Sequence, residues 1–246
     1  MDSTGWPFEC YTCGALYHDR SLWCLACGRF DTVLPRFHSR QSEAIRAAPF
    51  RSALSIYKRH GRWAVLPDPV GQVLGRLPDK GGYLVVISGP PGSGKTSFAL
   101  TWANAWSLSD RVVYVALEES SDAAIAIHLR RLEVASPNLS IGSTASIAGL
   151  QEEAKGAVAL FIDSASAACM TGRNLQDLAR DLDIPIIANL HVTKDGKPAG
   201  PNDLMHVCDV HLRLSGVGKF ELRKSRYTGI KEGEFSTVPD VEEVPA

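Results

Sequence analysis

No run in the 246 residues approaches the roughly 18 consecutive apolar positions of a membrane span. The first nine residues lack the basic-then-apolar profile of a secretory signal, so a cytoplasmic chain with no membrane partner is expected. A large charge of one sign is also missing: 26 Lys and Arg stand against 27 Asp and Glu, a formal net charge of −1. Bulk charge therefore names neither nucleic acid nor membrane, and any such partner must be met by a local patch. There is no internal repeat and no low-complexity tract. Cysteine is scarce outside one stretch: four of the six, Cys10, Cys13, Cys24 and Cys27, fall within eighteen residues, whereas Cys169 and Cys208 stand alone in apolar surroundings as buried thiols.

With 45% apolar and 22% charged residues, the chain has material for one large core plus a small appendage. From Tyr83 onward, the short apolar runs YLVVIS, RVVYVAL, AVALFID and IPIIANL alternate with helical patterns around 95–107, 122–132, 146–154 and 172–182. Continuous Val/Ile/Leu strands alternating with helices predict an α/β fold whose mostly parallel sheet is covered on both faces. Two later β-like runs, Val207 to Leu214 and Phe220 to Arg223, flank a turn at 215–218 and predict a hairpin at the sheet edge.

Charge marks the segments. Between Pro35 and Leu66 seven bases face one acid, Glu43, and between 213 and 231 six bases face one acid. Residues 232–246 carry five acids, no base and two prolines, the profile of a flexible acidic tail. The expected layout is a cysteine-bearing element over 1–34, a basic linker over 35–66, an α/β core over 67–231 and the tail over 232–246. In the linker, Ser52 can cap a short helix over 53–60. That stretch reads equally as a helix docking on a second subunit, as a phosphate contact or as a solvated surface.

Cys10-Tyr-Thr-Cys13-Gly and Cys24-Leu-Ala-Cys27-Gly form two CxxCG units separated by ten residues. Two residues between thiolates let one turn aim both sulfurs at one ion, and two such knuckles complete a closed, structural tetrahedral Zn²⁺ site. The alternative, a pair of disulfides, is one that a cytosolic chain does not keep.

Directly after YLVVIS comes Gly89-Pro90-Pro91-Gly92-Ser93-Gly94-Lys95-Thr96-Ser97, a full GxxxxGK[ST] match between a strand and a helix. Its amides can turn around a polyphosphate, with Lys95 on the β and γ phosphates and the Thr96 hydroxyl on Mg²⁺. ATP and Mg²⁺ are the expected ligands. AVALFID ends in Asp163 at the carboxyl edge of a strand, where open α/β sheets meet their ligands, and Asp163 is the expected Mg²⁺ partner. RVVYVAL delivers Glu118 and Glu119 to the same edge. Glu118 is the expected water-orienting carboxylate, with Glu119 either solvated or paired with Arg130 or Arg131. IPIIANL runs into His191, which reads either as a reporter of nucleotide state or as an ordinary hydrogen-bonded histidine.

Taken together, these residues resemble the bacterial RadA (Sms) family of RecA-like ATPases. The resemblance runs through the CxxC…CxxCG element with Trp23 before its third cysteine, the P-loop, YVALEES, LFIDS, HVTKDGKPAGP and KSRYT. It implies a RecA-like P-loop core and an ATP-dependent motor acting on single-stranded or branched DNA, a branch-migration or helicase activity in recombination and repair. It also implies assembly as a hexamer-like ring or filament, and recombinase or replication partners. In that family the stretch after the His191 equivalent faces DNA, which implies DNA contacts for Thr193, Lys194, Lys197 and Gly200. KSRYT is similar to the family's KNRFG motif, which implies that Lys224 and Arg226 reach the phosphates held by a neighbouring protomer; a solvated basic hairpin is the alternative. Thr228 replaces the motif's glycine, Pro91 and Ser93 depart from the family's GDPGIGKST, and a chain without the family's C-terminal Lon-protease-like domain is expected. An ATP-switched scaffold or loader, and a RecA-fold regulatory ATPase with no nucleic-acid task, remain as competing functions.

Overall fold

The computed structural model describes residues 8–10, 16–17, 25, 33–35, 52, 62–119, 121–167, 170–192 and 204–236. The chain divides into two compact units, Met1–Ser52 and Ala53–Ala246. In the first, β1 (Phe8–Cys10) pairs antiparallel with β2 (Leu16–Tyr17) and β3 (Val33–Pro35), in the order β2-β1-β3. Cys10 ends β1. Cys13, Cys24 and Cys27, and with them the zinc site, lie outside the described residues, as do the helix expected over 53–60, Cys169, and the DNA-facing residues Thr193, Lys194, Lys197 and Gly200.

The second unit is an α/β sandwich around an eight-stranded, mostly parallel sheet, an architecture consistent with a RecA-like P-loop fold. Its strands are β4 (Leu84–Gly89), β5 (Val112–Ala116), β6 (Leu139–Gly142), β7 (Ala159–Asp163), β8 (Ile186–His191), β9 (Val210–Gly216), β10 (Lys219–Ser225) and β11 (Lys231–Glu234). They run in the order β11-β10-β9-β4-β8-β7-β5-β6, with only β10 and β11 antiparallel to their neighbours. Every residue of β4, β5 and β7 is buried, as continuous apolar runs covered on two faces require.

The two-residue strand period divides this core into two layers. Val85, Ile87, Val112, Tyr114 and Phe161 point to one face, where α2 (Lys95–Ser107) packs through Phe98, Trp102 and Ala103. Leu84, Val86, Val113, Val115, Leu160 and Ile162 point to the other, against α4 (Ile147–Glu153), α5 (Gly172–Leu182) and α6 (Leu204–Val207). α1 (Val70–Leu74) precedes β4, and α3 (Asp122–Arg131) follows β5. Side-chain oxygens of Ser121, Ser146 and Thr171 accept main-chain N–H groups at the starts of α3, α4 and α5. Cys208 is a buried thiol, and burial pushes its pKa up to about 11.

Three expectations change. The core does not end at 231: Lys231–Glu234 adds the edge strand β11, and the Phe235 ring meets Phe98 at 5.5 Å. Charge patterning misled there because an edge strand can carry Lys231, Glu232 and Glu234 on its open side while a single aromatic residue anchors it. Nor does the core begin at 67. Trp63 bridges Pro78, and Leu66 packs on the apolar cluster. The hairpin is not an appendage at the edge, because β9 pairs in parallel with β4 near the middle of the sheet. β6, with its polar and glycine residues, was not foreseen. Among the described residues no helix is long and apolar enough to cross a membrane.

Two predictions follow from the packing. A Cβ on Gly82 would stand 2.1 Å from the Ala179 carbonyl oxygen, part of a backbone that cannot swing away. Gly82→Ala should cost about 1–3 kcal/mol in urea unfolding. His211 is buried, with Nε2 2.8 Å from Ser88 Oγ; burial, then Arg223, Lys224 and Arg213, lower its pKa to about 4, and Glu221 opposes them. Its folded pKa lies below its unfolded one, so the stability it contributes is complete above about pH 6.5 and drains away as pH falls toward 4, by up to about 3 kcal/mol. His211→Gln should flatten that part of the stability–pH curve.

Candidate functional site

The carboxyl ends of β4, β5, β7 and β8 converge on one edge of the sheet. β4 ends at Gly89, and the loop that follows turns into α2 with Gly92 at φ 76° and Gly94 at φ 89°. No atom lies within 4 Å of a Cβ built on either of these two glycines, so they are needed for their left-handed backbone rather than for space. Gly89 is the opposite case, because a Cβ there would meet Leu214 O at 2.4 Å and Ser93 Oγ at 2.5 Å.

Lys95 opens α2 and is buried, its Nζ donating to the carbonyls of Gly89 and Pro90 at 2.9 Å each. Desolvation lowers its pKa, and Asp163 and Glu118 pull it partly back. Thr96 donates its hydroxyl proton to Asp163 Oδ2 at 2.7 Å, and Tyr114 donates to the same oxygen at 2.8 Å. Asp163 is 4% exposed, and its other oxygen, Oδ1, is buried with no hydrogen-bond partner among the described residues. An orphaned carboxylate oxygen beside a threonine hydroxyl is a donor set for a hard cation that brings its own water and phosphate ligands. The positive-φ glycines, the buried lysine and this oxygen together fit a Mg²⁺-bound nucleoside triphosphate.

Glu118 stands just beyond β5. Ser164 donates its hydroxyl proton to it, and His191 Nε2 lies 2.6 Å from its carboxylate. His191 ends β8, with its main-chain N–H donating to Ser166 Oγ at 3.3 Å. Glu118 and His191 are therefore joined across the same edge. Glu119 turns elsewhere, toward His128 Nε2 at 3.3 Å. Among the described residues it pairs with His128 rather than with Arg130 or Arg131.

A cleft of about 700 Å³ opens over the loop and is lined by Pro91, Gly92, Gly94, Lys95, Thr96, Ser97, Glu118 and His191 from the expected set. Gly89, Pro90 and Ser93 are not among its lining residues. Sequence motifs did not point to His128, Arg131 and Leu132 from the flank after β5, nor to Pro69, Val217 and Phe235, which also line it. They did not point to Tyr114 either. Its signal was a lone phenol in an otherwise aliphatic strand, where a buried O–H requires an acceptor.

Lys224 and Arg226 are absent from this edge. Lys224 pairs with His211 and Ser225 with Val210, which pair with Val86 and Val85, so both cations lie toward the entry end of β4, roughly 10–16 Å of strand from Gly89 at its exit. Lys224 Nζ donates to His206 O at 2.6 Å, and Arg226 Nε lies 3.1 Å from Asp209 Oδ1. Arg226 is 59% exposed.

Tyr114→Phe should lower unfolding free energy by about 1 kcal/mol, measured as a shift in urea midpoint at constant slope. An unshifted midpoint would show that the phenol adds nothing to the hold on Asp163.

No protein-family model matches the chain. Full-length comparison finds it similar to proteins named DNA repair protein RadA: 28% identical over 263 residues to that of Campylobacter jejuni, covering 92% of this chain and 57% of the relative. The Mycobacterium tuberculosis protein is 29% identical over 253 residues, covering 90% and 52%, and the Aquifex aeolicus protein 23% over 233 residues, covering 85% and 51%. The chain spans about half the length of the curated relatives it matches. Over about nine-tenths of its length the chain is thus similar to proteins of the RadA family.

Proposed function

We propose that the chain is an ATP-driven, DNA-binding motor of recombination and repair, in which each triphosphate is hydrolysed between two copies of the subunit. The observation that carries this reading is the separation of charge within one protomer. The phosphate loop, Asp163 and Glu118 gather at one edge of the sheet, while Lys224 and Arg226 stand at the other. Two cations that cannot reach their own loop are suited to serve a neighbour's. The name DNA repair protein RadA, carried by the relatives, supplies the nucleic-acid half of the proposal.

In this reading Lys95 leaves its two carbonyls for the β and γ phosphates, and Thr96 and Asp163 hold Mg²⁺ through the threonine hydroxyl and the orphaned Oδ1. The metal, when bound, neutralises charge on the β and γ oxygens. Glu118 accepts a proton from the attacking water, and Ser164 and His191 keep its carboxylate aimed. His191 links that carboxylate to the end of β8, and so to the segment where Thr193, Lys194, Lys197 and Gly200 would meet a single strand of DNA. Lys224 and Arg226 of one copy stabilise the charge that spreads over the neighbour's γ-phosphate, so hydrolysis waits for assembly. The assembly itself is a ring or filament. The donor set of Cys10, Cys13, Cys24 and Cys27 holds a structural Zn²⁺.

Lys95→Ala should abolish turnover. Arg226→Ala should bind ATP normally yet hydrolyse it at least about tenfold more slowly with single-stranded DNA, as removal of a transition-state cation does. Because the two variants damage different halves of a shared site, mixing them should restore part of the DNA-stimulated rate. Wild-type turnover by Arg226→Ala alone would refute the interface role, and a rate indifferent to DNA and to salt would refute the nucleic-acid role.

A further inference from the structure

Arg131 is a cation at the cleft to which the motifs assign no task. It is the last residue of α3 and exposed, yet it is fixed: its Nη2 donates to Ser97 Oγ at 2.7 Å. The same nitrogen is 3.5 Å from His128 Nδ1, while His128 Nε2 faces Glu119 at 3.3 Å. With the Nε2 proton turned toward Glu119, Nδ1 offers its lone pair to the guanidinium. Glu119, His128, Arg131 and Ser97 thus form a string of contacts, the last three facing the cleft. No carboxylate among the described residues pairs with Arg131, so its charge is held by a hydroxyl and a ring nitrogen and left un-neutralised.

Its position along the cleft follows from its neighbours. Lys95 would meet the β and γ phosphates, and Thr96 would help hold Mg²⁺ beside them. Ser97 comes next in the first turn of α2. The lining also carries apolar residues, with Leu132 on one flank of β4 and Val217 and Phe235 on the other. Such apolar walls suit a nucleobase, and a guanidinium held on the Ser97 hydroxyl, one residue past Thr96, would stand between that base and the polyphosphate. We propose that Arg131, positioned by Ser97, binds the α-phosphate of the subunit's own nucleotide and sets its affinity for ATP and ADP alike. The inference rests on the triphosphate reading above and gives Arg131 a duty opposite to that of Lys224 and Arg226: it governs binding within one protomer, not turnover between two.

The test is equilibrium binding of ATP and of ADP, each with Mg²⁺, to wild type, Arg131→Gln and Arg131→Lys. Melting temperatures without nucleotide report folding, which an exposed position should leave intact. Arg131→Gln keeps a donor for Ser97 but loses the charge, and should weaken both nucleotides by the same factor, on the order of tenfold, the worth of one charge-assisted hydrogen bond. Arg131→Lys should fall between the two and keeps the test readable if the glutamine variant does not fold. Unchanged affinity, a loss confined to ATP, or a lysine variant no better than glutamine would overturn the assignment. Failure of wild type to bind either nucleotide would instead overturn the triphosphate reading on which it rests.

Discussion

One carboxylate joins the loop to the sheet. Asp163 sits at the end of a strand buried on both faces, and a single oxygen of its side chain receives the hydroxyls of Thr96 from α2 and Tyr114 from β5. Three elements that are far apart in sequence are thereby fixed at one point, and the second oxygen is buried beside them with no protein partner among the described residues. Leaving a buried acceptor unsatisfied has a cost in the folded protein. Such an oxygen at a strand end, next to a glycine-rich turn, is the kind of donor that the proposed Mg²⁺ would use.

The sheet order gives this point its meaning. β4 lies between two flanks: β8, β7 and β5 bring carboxylates and an imidazole to the loop, while β9, β10 and β11 bring apolar wall and, at their far end, basic residues. Because β10 runs antiparallel to β9, its Lys224 end is carried away from the edge that its start approaches. Topology alone thus separates the two classes of cation, one buried under the loop and the other presented outward.

Much of this was legible in the sequence, for physical reasons. Fully buried parallel strands must be continuous apolar runs, so YLVVIS, AVALFID and IPIIANL announced themselves. A strand that ends in an acid likewise places that acid at the ligand edge, which located Asp163 and Glu118. Contacts made across the chain left no such mark. Arg131 reaches Ser97, 34 residues away, and no local pattern encodes that meeting. Phe235 was hidden by the acids around it, since composition averages over a window while one ring decides whether an edge strand docks. β6 was missed because a short, half-exposed strand does not need an apolar run.

Lys95 already has its ammonium nearly stripped of water, at 5% exposure, with two neutral carbonyls as its companions. Most cations on a protein surface must shed a hydration shell before they can grip an anion, and that step blurs the difference between strong and weak ligands. Here the shell was surrendered during folding. An arriving anion competes with two carbonyl dipoles and with the pull of Asp163 and Glu118: a multiply charged group is suited to displace the carbonyls, while a neutral sugar or base is not. The loop therefore discriminates by charge density before it recognises any other part of its ligand.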